Sequence, residues 1–157
     1  MRDHAELINL LQQGDGASGI LQRAIFERYH FPTMFFGSEV ESWSYGDGSY
    51  TINTKDGLRH LFACRAPHYT TSFDAALTLV PQGYYWHAGE GKTRDEEPLG
   101  AASIIAPGTL RTISEAEHPS VIVALCIAAL KARAVLEAAG HPHQVNESGA
   151  DQTKVPS

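Results

Sequence analysis

An α+β domain, with a small antiparallel sheet sandwiched by helices in an αβα-like arrangement, is the fold this sequence predicts. Three observations predict it. Residues 1–30 place apolar side chains at helical spacing around one glycine-rich break; Trp43 to Cys64 changes to short β-prone runs separated by Asp-Gly; and an Ala-rich apolar block, Val121 to Leu130, lies inside a helical pattern. At 157 residues the chain fits one domain, since about 150 residues bury roughly 70% of their unfolded surface without staples. The expected organisation is a single domain over 1–140, with a helical hairpin at 1–30 and a β-rich insertion at 43–64, followed by a disordered tail over 141–157.

The elements follow in order. Leu7, Leu10 and Leu11 form an i, i+3, i+4 stripe that Gly14-Asp15-Gly16 ends. Ser18 then suits the cap of a second helix whose shared face carries Leu21, Ala24, Ile25 and Arg28, with Phe26 and Tyr29 beside it and Pro32 beyond its end. In the next segment Trp43, Tyr45, Tyr50, Ile52, Leu58, Leu61 and Phe62 are interrupted by Gly46-Asp47-Gly48 and Lys55-Asp56-Gly57. Asp-Gly between such runs signals tight turns, so two or three short antiparallel strands are expected.

In "TSFDAALTLVPQGYYW", residues 71–86, Ser72 suits a helix cap and Asp74 complements the positive end of the helix dipole. Phe73, Ala76, Leu77 and Val80 form a stripe; Pro81 ends the helix and Gly83 supplies the reversal. A strand leaving at Tyr84 puts Tyr84 and Trp86 on one face and Tyr85 and His87 on the other. Phe73, Leu77, Val80 and Trp86 are expected in the core, with Tyr85 and His87 exposed. "GEGKTRDEEP", 89–98, reads as a hairpin loop and Ala101–Ala106 as its returning strand. An irregular segment with Pro107-Gly108 and Arg111 follows. The final helix is expected from Pro119 to Ala139, with Gly140 as its stop, and the core centred on it.

The composition excludes several classes. A net charge of −6 with twelve Lys and Arg disfavours long nucleic acid, whose affinity comes largely from neutralised phosphates. A small anion needs only one or two arginines, so it stays compatible. The longest apolar run is about half the roughly 20 residues of a membrane span, and the mixed charges of Met1 to Glu6 do not form a secretory signal. An intracellular protein, with no membrane role, is expected. Cys64 and Cys126 form no C-x-x-C pair and read as reduced, buried thiols.

The order of cap, helix, Val-Pro-x-Gly, aromatic strand, polar turn, apolar strand and Ala-rich helix resembles the phage ABA sandwich domain, a family of small tailed-phage and prophage proteins. "YTTSFDAALTLVPQGYYW" (69–86) and "HPSVIVALCIAALKARA" (118–134) carry the resemblance over roughly half the chain. It implies a fold and a phage setting and supplies no catalytic residues. The chain departs from the pattern at His118, where many members place Thr before the proline, which removes the usual Ser/Thr cap.

Catalytic constellations are weak. His68-Tyr69-Thr70 and His118-Pro119-Ser120 match the His-x-Ser/Thr pair of two-histidine phosphoesterases, but Pro119 suits a helix start, not a central strand. His60, Cys64 and His68 recur every fourth residue; on extended chain, consecutive members lie roughly 13 Å apart and share no metal. His141-Pro142-His143 falls in the expected tail. No cofactor and no metal is expected. What remains is a set of aromatic and polar residues without an evident core period, Trp43, Tyr45, Tyr50, His68, Tyr85, His87, Arg94 and Arg111, compatible with a small anionic, nucleotide-like ligand through stacking and Arg–phosphate pairing. The expected function is a non-enzymatic phage accessory protein, a homo-oligomer in the host cytoplasm that binds such a ligand between subunits or binds a host protein. A structural virion component is the alternative, and a phosphoesterase the third reading.

Overall fold

The computed structural model describes residues 2–14 and 18–140; the expected tail and the His141-Pro142-His143 motif lie outside them. Helix α1 (His4–Gln13) opens at Asp3, whose carboxylate accepts from the Glu6 amide at 2.8 Å, and it buries Leu7 and Leu11. Helix α2 (Gly19–Tyr29) buries Leu21, Gln22, Ile25, Phe26 and Tyr29. The class is α+β, with this helix pair at its amino-terminal end.

Four strands follow: β1 (Met34–Phe35), β2 (Ser38–Gly46), β3 (Ser49–Thr54) and β4 (Arg59–Phe62), in the antiparallel order β1-β2-β3-β4. The β2–β3 turn has Asp47 at φ 51° and Gly48 at φ 77°, the paired left-handed geometry that fits the strands' twist and that Asp-Gly adopts most readily. At the next turn the Asp56 carboxylate accepts from Thr54 and Ser38 hydroxyls, which hold its pKa below the usual carboxylate range. Along β3, Tyr50, Ile52 and Thr54 are buried in strict alternation. Tyr50 is the hub: its ring meets Phe26, Phe31, Trp43, Tyr45 and Phe62 at centroid distances of 4.9 to 6.4 Å, and its hydroxyl donates to Glu27 at 3.0 Å. This ring cluster fastens the four-stranded sheet to α2. Phe35 of β1 reaches His60 and Phe62 of β4, so the sheet curls.

The second half begins with α3 (Phe73–Leu77), capped by Ser72, whose hydroxyl accepts from the Ala75 amide at 3.3 Å. Gly83, at φ 83°, makes the reversal that follows Pro81. Strands β5 (Tyr85–Lys92), β6 (Pro98–Ile105) and β7 (Thr112–His118) form an antiparallel meander, and α4 (Val121–Ala138) packs across one face of it. Every residue from Val123 to Leu130 is buried because β6 and β7 cover one side of α4 while α1 and α3 pack elsewhere on its circumference. Small residues allow the close approach. Ala102 and Ala116 face Ala-rich α4, and buried Ser114 donates its hydroxyl proton to the Ala128 carbonyl at 2.7 Å.

Several expectations need correction. The segment before α4 is a strand, not irregular chain, and β5 and β6 run on through Lys92 and from Pro98, leaving a shorter hairpin loop than 89–98. Pro119 precedes α4 rather than opening it. The cap absent at 118 is present at Ser120, whose hydroxyl accepts from Val123 N–H at 3.4 Å. Trp86 is not core but 42% exposed, since α4 lies over β6 and β7 more than over β5. Phe73, Leu77 and Val80 are only half-buried, and Ala76 and Leu79 take the buried positions, because α3 ends after five residues. Tyr50, which sequence left among residues without a core period, is 1% exposed.

Candidate functional site

The β5–β7 sheet has two unlike faces. On β6, Ala102 and Ile104 point towards α4, and Ala88 and Trp86 are their partners on β5. The opposite parity faces outward, where β5 presents Tyr85, His87, Gly89 and Gly91, and β6 presents Leu99, Ala101, Ser103 and Ile105. No other described element packs on this outer face. The alternation of Tyr85 and His87 against Tyr84 and Trp86 read from the sequence is the alternation found.

Rows across the sheet set its chemistry. His87 pairs with Ser103, which pairs with Glu115, so imidazole, hydroxyl and carboxylate form one outward row, with strands about 4.8 Å apart. Glu115 neighbours the serine and not the histidine, and no hydrogen bond links the three. The row therefore offers donors and acceptors without the carboxylate-oriented base that activates a nucleophile. Glu117, opposite Ala101, makes the β7 side acidic. An anion is repelled there and is better accommodated at the end of the strands away from Glu117.

That end carries Tyr85, 57% exposed, paired with Ile105; Leu110 and Arg111 occupy the adjoining β6–β7 hairpin, where the Ala106 amide donates to the Arg111 carbonyl at 2.8 Å. Leu110 is 71% exposed at φ 53°. A branched side chain in the left-handed region is strained, and such strain concentrates at functional loops. Phe36 at the β1–β2 turn has the same pair of properties, at 84% exposure and φ 47°. Sequence reasoning missed both, since only the turn geometry identifies them.

The expected site residues separate into groups. Tyr85, His87 and Arg111 share the outer face or its end. Arg94 lies in the β5–β6 hairpin at the other end of the sheet, the length of β6 away, roughly 23 Å at 3.3 Å per residue. Trp43 and Tyr45 belong to the ring cluster on α2: Trp43 stacks on Phe31 at 4.6 Å, and the Arg23 guanidinium lies 4.1 Å over Tyr45. Trp43 and Phe31 also line a groove of about 360 Å3 with Glu27, Arg28, Glu39 and Glu41, whose acidic rim is wrong for an anion. His68 is exposed in the connection before α3.

A second polar array, missed entirely from sequence, ties α1, α2 and α4 together. With its proton on Nε2, His4 donates to Glu137 and accepts from the Tyr29 hydroxyl at 2.5 Å, and Arg28 donates to Glu137 at 2.9 Å. Carboxylate, imidazole and hydroxyl in line resemble an activated-nucleophile triad. Here burial raises the Tyr29 pKa, so its proton is held and the array works as a staple. Nearby, His30 bonds the Tyr69 hydroxyl at 2.6 Å, and Arg133 donates to the Leu79 carbonyl at 2.5 Å.

The two His-x-Ser/Thr sequences are engaged structurally. Buried Thr70 accepts from the Gln22 amide at 2.5 Å; Ser120 caps α4, and its own amide donates to His118 Nδ1 at 2.9 Å. Tyr69, beside His68, accepts at its carbonyl from Cys126, six residues and about 9 Å along α4 from Ser120. Burial pushes the Cys126 thiol up to about 12 and raises that of Cys64, so neither is an activated thiolate. Among the described residues no group of three or more His, Cys, Asp or Glu is placed to hold a metal ion, and no helix is long and apolar enough to cross a membrane. Comparison of the chain with known protein families, with curated proteins and with solved structures finds no match.

Proposed function

We propose that this chain is a non-catalytic binding protein, an accessory factor of a tailed phage or prophage acting in the host cytoplasm, and that it holds a small anionic, nucleotide-like ligand at the Tyr85 end of the outer β-sheet face. The phage setting rests on the resemblance of residues 69–86 and 118–134 alone. The observation that carries the binding reading is the uncovered face itself. Tyr85 and His87 lie exposed on it, so a base can stack on Tyr85 while Arg111, in the hairpin adjoining that end, meets its phosphate.

Native mass spectrometry of the protein purified from bacterial lysate tests this. An adduct of nucleotide mass, lost in Tyr85→Ala and Arg111→Ala, is the expected result. Absence of any adduct, together with no binding of added mono- and dinucleotides in calorimetry, overturns the reading.

A second reading has its own observation. Phe36 and Leu110, exposed on hairpin tips in left-handed conformations, suit docking to a macromolecule, as a small head or tail component of the virion requires. Stoichiometric presence in purified particles would establish it.

A further inference from the structure

The edges of the two sheets are not equally defended. In the four-stranded sheet the outer strands are only two and four residues long, and short edges resist pairing. In the three-stranded sheet β7 carries Glu115 and Glu117 outward, and in a pairing of β7 with itself these like charges are brought close together. β5 is different: it is an eight-residue edge strand, exposed at all but Ala88, with a free row of backbone donors and acceptors.

We infer that β5 pairs with β5 of a second copy, antiparallel about Ala88, joining two three-stranded sheets into one of six. A two-fold axis through such a pair runs perpendicular to the sheet and keeps each face continuous, so outward residues meet outward residues. Centred on Ala88, the register sets His87 opposite Gly89 and Tyr85 opposite Gly91 of the second copy, so that each large ring covers a glycine. Cross-strand pairs of this kind, an aromatic over a bare glycine, stabilise sheets. On the inner face Tyr84 meets Lys92, and Trp86 meets Glu90. Neither Lys92 nor Glu90 has an ion-pair or side-chain hydrogen-bond partner among the described residues. In the pair an ammonium gains a ring face and a carboxylate gains an indole N–H.

The pairing also reunites residues that one copy separates. Arg94 lies two residues past Lys92, so the second copy's Arg94 arrives beyond Tyr84, at the end that carries Tyr85, Leu110 and Arg111 of the first. The composite face has two such ends, each with arginines from both copies. The pairing itself does not depend on the identity or presence of a ligand.

Sedimentation velocity of the full chain, from nanomolar to high micromolar concentration, tests the inference. Wild type should dimerise, and the double variant Gly89→Lys with Gly91→Lys should be monomeric. That variant should keep the wild-type circular dichroism and melting curve: a Cβ at Gly91 meets nothing within 4 Å, one at Gly89 meets only His87 Cε1 at 4.0 Å, and neither glycine has a positive φ. Glu117→Lys, on the opposite edge, should leave the dimer intact. A wild type that stays monomeric throughout overturns the inference, as does a dimer that survives the double substitution. Ala88→Cys in a Cys64→Ser background reads the register: it should cross-link rapidly under air oxidation, and a dimer that fails to cross-link overturns pairing about Ala88.

Discussion

Gly100 of β6 lies directly against Val121, the first residue of α4: a Cβ built at Gly100 would stand 2.5 Å from the Val121 backbone nitrogen and closer still to its Cα. No side-chain rotation relieves a clash with backbone. The contact fixes how near the sheet approaches the helix, and it explains the glycine at this position.

Gly100→Ala is therefore expected to cost about 1–3 kcal/mol, the usual range for forced overpacking. For a chain of this size that is a fall of roughly 2–4 °C in Tm per kcal/mol. Gly91→Ala, with open space around it, should change the melting temperature of the monomer little. Equal effects at the two positions would show that the approach to Val121 is not tight.

Tyr50 makes a second, separable prediction. Tyr50→Phe keeps the ring contacts and removes the hydroxyl bond to Glu27, so it should cost about 1 kcal/mol. Tyr50→Ala empties the hub between α2 and three strands and should cost about 3–5 kcal/mol. Urea denaturation of both variants checks the ratio. A small effect of the alanine variant would mean that the ring cluster does not fasten the four-stranded sheet to α2.

The contrast between β3 and β7 shows what was legible in the sequence. "SYTINT" alternates large apolar with polar residues, and the burial of Tyr50, Ile52 and Thr54 follows that alternation. β7, "TISEAEH", turns Ser114 and Ala116 inward. These are small because α4 lies so close, and the same closeness keeps the β-branched and aromatic residues by which a strand is recognised out of its two inward positions. Ser72, Pro81 and Gly83 were readable because a cap, a missing N–H and a positive φ are local demands. The outward parity of Tyr85 and His87 was readable for the same reason. Leu110 was not, since nothing in its identity foretells φ 53°, nor were His4, Tyr29 and Glu137, which meet only through the packing of three helices.

Alkaline pH should loosen the fold. Burial raises the pKa values of Tyr29, Tyr50 and Tyr69, and pushes Cys126 up to about 12. The folded state thus keeps protons that the unfolded chain releases above about 8.5 for cysteine and about 10 for tyrosine. With raised folded-state values, the stabilisation is complete below those unfolded values and is lost as pH rises through the folded ones. The urea midpoint should be constant from neutral pH to about 8 and should fall steadily above about pH 9. In a near-ultraviolet phenolate titration, Tyr29, Tyr50 and Tyr69 should ionise only as the protein unfolds. Smooth ionisation of all six tyrosines in the folded protein would contradict their burial.

Thr70 separates a structural role from a catalytic one. It completes one His-x-Thr sequence, yet it is buried and accepts a hydrogen bond from Gln22, itself buried, at 2.5 Å. Thr70→Val preserves shape and removes this acceptor from the Gln22 amide, which should cost about 1–3 kcal/mol; Thr70→Ser should recover most of that. His68→Ala, at the exposed neighbour, should leave stability within about 0.5 kcal/mol of wild type. A phosphoesterase predicts the opposite ranking for any phosphodiester hydrolysis: His68→Ala would abolish it, while a protein whose Thr70 only braces Gln22 would show stability loss in Thr70→Val and no hydrolysis that either substitution changes. Melting curves and a hydrolysis assay on the same two variants decide between the roles.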